Sequence, residues 1–95
     1  MFIIELSYKV PNDQIDQHLA PHRAFLDKYY AAGKFIASGA KTPRDGGIIL
    51  ANAASKEEIA DIIREDPFHI NGLSDYRVIE FTASKRSDRA GELIY

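Results

Sequence analysis

The chain has 95 residues, 45% of them apolar and 27% charged, and twelve basic against fourteen acidic side chains give a formal net charge of −2. That length supports one hydrophobic core and not two domains, and the composition is that of a globular protein. No basic stripe points to nucleic acid, and the lack of cysteine excludes disulfides, thiolate nucleophiles and Cys-ligated zinc.

Met1-Phe2-Ile3-Ile4-Glu5 carries no basic n-region, and no apolar run reaches the ~20 residues a membrane helix needs. A cytoplasmic protein that binds neither membrane nor nucleic acid is expected.

The first element is a strand over Phe2-Ile3-Ile4-Glu5-Leu6-Ser7-Tyr8, with Phe2, Ile4, Leu6 and Tyr8 on one face. Pro11 ends it, and Asn12 or Asp13 can cap a helix. From Asp13 the apolar period becomes helical: Ile15, Leu19, His22, Leu26, Tyr29 and Gly33 fall on one stripe. Pro21 interrupts it, which predicts a short turn near 13–18 and a main helix starting close to Pro21 and stopped by Gly33.

Lys34 to Ala40 reads as the second strand. The turn Thr42-Pro43-Arg44-Asp45-Gly46-Gly47 then leads into a third strand that ends near Asn52. Ser55 with Glu58 forms a capping box for a helix buried through Ile59, Ile62 and Ile63. Asp66-Pro67 ends that helix and opens a short turn, Gly72 breaks the chain again, and Tyr76 to Thr82 alternates as a last strand. Residues 1–84 thus make one domain. Residues 85–95 make a polar tail closing on Leu93-Ile94-Tyr95, an apolar end that is either disordered or docked, a partner subunit being one candidate.

This order is βαββαβ, an α+β ferredoxin-like arrangement with a four-stranded antiparallel sheet and both helices on one face. The other face, with Ile3, Ile36, Ile49 and Ile79 as its candidates, is too apolar to meet water. A second copy packed sheet against sheet covers it, so a homodimer or a larger self-assembly is expected. The same isoleucines argue against RNA binding through that face.

Few side chains suit acid–base chemistry. Of His18, His22 and His69, only His22 lies in the stripe facing the sheet. The plainer reading is a buried histidine bonded to backbone; the functional one is a general acid or base between helix and sheet. Asp66 is explained as a helix cap, yet a capping carboxylate can also orient an imidazole. Ser38 and Gly39, on the second strand, either let helix and sheet approach or leave room for a ligand. Arg44 and Lys41 on the hairpin either receive a carboxylate or, as is usual for charged hairpin tips, are simply solvated. No nucleophile elbow or phosphate loop is present, and although His18 and His22 are four apart, Pro21 between them disfavours a regular helical metal pair.

Taken together, His22, the helix end Tyr30-Ala31-Ala32-Gly33, the strand Phe35-Ile36-Ala37-Ser38-Gly39, the hairpin Gly46-Gly47-Ile48-Ile49-Leu50-Ala51 and Glu65-Asp66-Pro67-Phe68 resemble the YciI-like (YCII-related) family over about residues 1–82. The resemblance implies a dimeric α/β-barrel-like fold and an active site whose histidine and aspartate map onto His22 and Asp66. Some relatives are dehydrochlorinases or muconolactone-isomerase-like enzymes acting on ring-derived acids. The chain departs from the family at Gly39-Ala40, where many members have Gly-Pro. The expectation is a small enzyme using neither cofactor nor metal, a lyase or isomerase moving protons on a small organic acid or phenolic compound. His22 and Asp66 would be catalytic, and Ser38, Gly39 and Arg44 would bind the ligand. The alternative is a non-catalytic ligand-binding or interaction module of the same fold.

Overall fold

In the computed structural model, which describes residues 1–91, the elements are β1 (Phe2–Tyr8), α1 (Asn12–Gln17), α2 (Leu19–Ala31), β2 (Phe35–Ala40), β3 (Gly46–Ala51), α3 (Lys56–Ile63), α4 (Pro67–Ile70) and β4 (Ser74–Glu80). The strands form one antiparallel sheet in the order β2-β3-β1-β4. This is the expected ferredoxin-like α+β architecture, with each helical stretch divided in two. None of the described helices is long and apolar enough to cross a membrane.

The sheet's inward face follows from the period of β1. Phe2, Ile4 and Leu6 are buried, and their register partners on β3 include Ala51 and Ile49. Ile15 of α1, Phe25 of α2, Ile59 and Ile62 of α3 and Phe68 of α4 close over them to complete the core.

Local chemistry sets the breaks. His18, at φ −110° and ψ 8°, separates α1 from α2. The main helix begins at Leu19, two residues before the expected start at Pro21. Pro21 is then its third residue, where a missing N–H sacrifices no intrahelical bond. Pro11, rather than Asn12 or Asp13, occupies the cap position of α1, and no side chain caps it. At the other end of α2, Gly33 takes φ 74°, a left-handed conformation that glycine alone adopts without strain.

The capping box at α3 is only half reciprocal. Ser55 Oγ accepts from the Glu58 N–H at 3.1 Å, as expected. The Glu58 carboxylate instead accepts from the Ala54 N–H, also at 3.1 Å, and pairs with Lys34 Nζ at 2.7 Å.

Two expectations need correction. β4 starts at Ser74, not Tyr76, because Ser74 and Asp75 pair with Tyr8 and Ser7 and extend the ladder along all of β1; it ends at Glu80 rather than Thr82. Ile49 is not on the open face. Its partner across the ladder is Ile4, and it is buried with the core. The register places Leu50 opposite Ile3 and Ile48 opposite Glu5, so the open face is built from Ile3, Ile48, Leu50 and Ile79. In the single chain Ile48 and Ile79 are each 37% exposed. Ile36 sits at an irregularity where β2 shifts register between Phe35 and Ala37.

After β4 the chain runs to a short 3₁₀ turn at Asp88–Ala90. The apolar end read as disordered or docked, Leu93-Ile94-Tyr95, lies outside the described residues.

Candidate active site

Asp66 begins the site as a helix cap. Its backbone is extended at φ −68° and ψ 123°, Pro67 takes the first helical position, and Oδ1 accepts the Phe68 N–H at 3.0 Å. The short α4 thereby fixes a carboxylate that is fully buried. A buried charge needs partners, and Asp66 has two side-chain donors besides the amide. His22 Nδ1 lies 2.7 Å from Oδ1, and the Tyr76 hydroxyl donates to Oδ2 at 2.6 Å.

His22 is the fourth residue of α2, and its ring lies against the ring of Phe68, centroid to centroid 3.9 Å and tilted by only 4°. The side chain is 11% exposed. A carboxylate oxygen that accepts from Nδ1 makes Nδ1 the donor, and in the neutral imidazole of that tautomer Nε2 carries the lone pair. Nε2 has no hydrogen-bond partner within the described residues, while the ring lines a cavity. This is the plainer reading of His22 overturned in one respect: its partner is a side-chain carboxylate, not backbone.

The cavity has a volume of about 510 Å³ and lies between α2, the sheet and the β2–β3 hairpin. Leu6, Leu19, Leu26, Ile49 and Phe68 give it an apolar wall. That size and lining suit a small organic molecule. His18 and His69 are not among its lining residues; His69 packs edge-on against Tyr76, with centroids 5.7 Å apart.

Ser38, Gly39 and Arg44 all line this cavity together with His22. Ser38 Oγ shares a hydrogen bond of 2.7 Å with the Tyr30 hydroxyl. A Cβ on Gly39 would meet nothing within 4 Å, so this glycine is not demanded by close packing of helix and sheet. Arg44 Nη2 is 2.5 Å from Asp16 Oδ1. Among the described residues, no three His, Asp or Glu side chains converge as a metal site would require.

Three participants escaped the sequence reading: Tyr76, Asp16 and Arg23, the last two lining the cavity. Tyr76 had a signal. It shares the inward face of β4 with Val78, and a tyrosine on a buried face requires a partner for its hydroxyl. Burial, and then the charge and hydrogen bond of Asp66, push the Tyr76 phenol far above its ordinary value, so it stays a neutral donor. Asp16 and Arg23 carried no signal, since exposed charges on helices are ordinarily just solvated.

A solved structure of 5-chloro-2-hydroxyhydroquinone dehydrochlorinase (TftG) from Burkholderia phenoliruptrix AC1100, in complex with 2,5-dihydroxybenzoquinone, shares the fold with a TM-score of 0.68. The match covers 85% of this chain and 93% of that one at 22% sequence identity. A relative from Bacillus subtilis (strain 168), the uncharacterized protein YjpA, is 32% identical over 69 residues, which is 73% of this chain and 81% of the relative. The model of the YCII-related domain matches residues 1–82, which include every strand, all four helices and each residue of the His22 cavity. The chain therefore belongs to the YCII-related domain family.

Proposed function

We propose that this protein is a small enzyme of the lyase or isomerase kind, moving a proton on a small organic acid or phenolic compound. The observation that carries the reading is the His22 Nδ1–Asp66 Oδ1 bond of 2.7 Å behind a cavity that His22 lines. Asp66 holds the imidazole in one tautomer and stabilises the imidazolium, and Nε2 takes a proton from the substrate and returns it at another position or to a leaving group. Phe68 keeps the ring from rotating. The Ser38 hydroxyl, which lines the cavity and shares a hydrogen bond with Tyr30, bonds a substrate oxygen in this reading. The fold neighbour's dehydrochlorinase activity and its bound quinone support ring-sized oxygenated compounds as the class to screen.

The working unit in this reading is a cytoplasmic homodimer in which Ile3, Ile48, Leu50 and Ile79 of two copies face each other, with residues 1–84 as the domain and 85–95 as an appendage. The test is a turnover screen of small phenols, hydroxyquinols and unsaturated acids with wild type and His22→Ala. Wild-type turnover that falls by about 10²–10⁴ in His22→Ala supports the reading. Undiminished turnover in His22→Ala refutes the mechanism, and ligand binding without turnover makes the protein a binding module.

A further inference from the structure

One ion pair, formed by residues far apart in the chain, borders the His22 cavity: Arg44 Nη2 on the β2–β3 hairpin and Asp16 Oδ1 on α1, 2.5 Å apart. Both residues line the cavity. Their side chains are 38% and 54% exposed. A pair this wet contributes little, because water solvates either partner nearly as well, so exchanging one carboxylate for another costs little. Arg23, next to His22 on α2, lines the same cavity and has no ion-pair partner among the described residues.

Among the described residues, the charged side chains lining the cavity apart from His22 are therefore two guanidiniums and one carboxylate, set beside an apolar wall. By itself the lining carries one uncompensated positive charge.

We propose that Asp16 is a resident stand-in for the ligand's own anionic group. A small monoanionic acid seats its carboxylate on Arg44 and Arg23, displaces Asp16 into solvent, and lays its apolar body on Leu6, Leu19 and Leu26. Three features favour that exchange. Arg44 never loses a carboxylate partner. Asp16 already lies half in water and is released at small cost. Arg23 gains a partner it lacks, and a planar guanidinium donates two parallel hydrogen bonds to a carboxylate. This deepens the preceding reading by selecting acids over neutral phenols, and it rests on the same cavity being the ligand site.

The test uses benzoate as the anionic probe and benzyl alcohol as its neutral counterpart, with affinities from titration of the wild type, Asp16→Asn, Arg44→Gln and Arg23→Gln at low salt. Benzoate is expected to bind the wild type about tenfold more tightly than benzyl alcohol. Asp16→Asn is expected to tighten benzoate by at least about threefold, and each arginine variant to weaken it by at least about fivefold, with benzyl alcohol unaffected throughout. The unaffected neutral probe doubles as proof that each variant keeps its cavity. If both probes bind, shifting the His22 ring resonances, but benzoate shows no advantage and no response to Asp16→Asn or Arg44→Gln, the anion subsite is wrong and the cavity survives. If neither probe binds the wild type, the cavity reading and this inference fall together.

Discussion

Tyr76 donates its phenolic hydrogen to Oδ2 of Asp66 across 2.6 Å and so occupies the carboxylate oxygen that His22 does not touch. The amide of Phe68 and the ring of His22 share the other oxygen. A carboxylate without access to water is thereby supplied with three donors, and removing one leaves an acceptor lobe bare.

Tyr76→Phe is the mildest such removal, because shape is kept and only the hydroxyl goes. It should cost about 1–3 kcal/mol of unfolding free energy, read from the denaturant midpoint. A variant as stable as wild type would show that water replaces the phenol at Oδ2.

The same residue predicts an alkaline limb of stability. In the folded chain, burial and the Asp66 carboxylate hold the phenol far above its ordinary value. In the unfolded chain it ionises near pH ~10. Above that pH the unfolded state binds fewer protons than the folded one, so stability falls as pH rises. The slope contributed by this one group is at most ~1.4 kcal/mol per pH unit, and it persists until the folded phenol itself ionises. Chemical unfolding between pH 9 and 11 should show a steeper decline in wild type than in Tyr76→Phe.

Asp66→Asn replaces an acceptor-only group with one that can also donate. The backbone amide of Phe68 can only donate, so the variant's side-chain oxygen stays at the Oδ1 position, still accepting from Phe68 and Nδ1, and its NH₂ takes the Oδ2 position and donates to the Tyr76 hydroxyl. Nitrogen-15 spectra of the ring should therefore show Nδ1–H in both proteins, while proton abstraction in the proposed reaction weakens because the charge that stabilises the imidazolium is gone. A proton moved to Nε2 in the variant would mean that the amide has turned and given up the Phe68 bond.

Phe68→Ala tests packing and chemistry together. Phe68 is 1% exposed and stacks on His22, so truncation should cost about 3–5 kcal/mol. Phe68→Leu keeps most of the volume. It should retain the fold while broadening the His22 ring resonances, since the flat surface that restrains the imidazole is gone.

On the open sheet face, Ile79→Lys puts a charge beside Ile3 at the middle of the proposed dimer contact. Sedimentation should show a dimer in wild type and a monomer in this variant. A wild type that sediments as a monomer at micromolar concentration would remove the dimer from the proposal.

Much of this molecule is legible in the sequence, and the reasons are local. β1 shows its faces because a strand repeats every two residues and Phe2, Ile4 and Leu6 fall in step. Asp66-Pro67 announces α4 because a capping carboxylate and a donor-free first residue suit the start of a helix. Ile49 is misplaced by its sequence because an unbroken run Ile48-Ile49-Leu50-Ala51 has no alternation to read; only pairing with β1 decides which members face inward. The start of β4 is hidden for a related reason. Ser74 and Asp75 are polar, and they become strand through their partners Tyr8 and Ser7. Asp16 and Arg44 are distant in sequence and meet only across the folded cavity, so neither announces the other.

The double duty of Asp66 Oδ1 ties the proposed catalytic geometry to a helix of only four residues. A segment as short as Pro67–Ile70 has little helical stability of its own and is held in place by the buried Phe68 ring. Here the atom that closes its first turn also grips the imidazole, so each transient opening of α4 unclamps His22 as well. The exchange rate of the Phe68 amide proton with solvent thus becomes a direct gauge of the fraction of time the histidine is held in place.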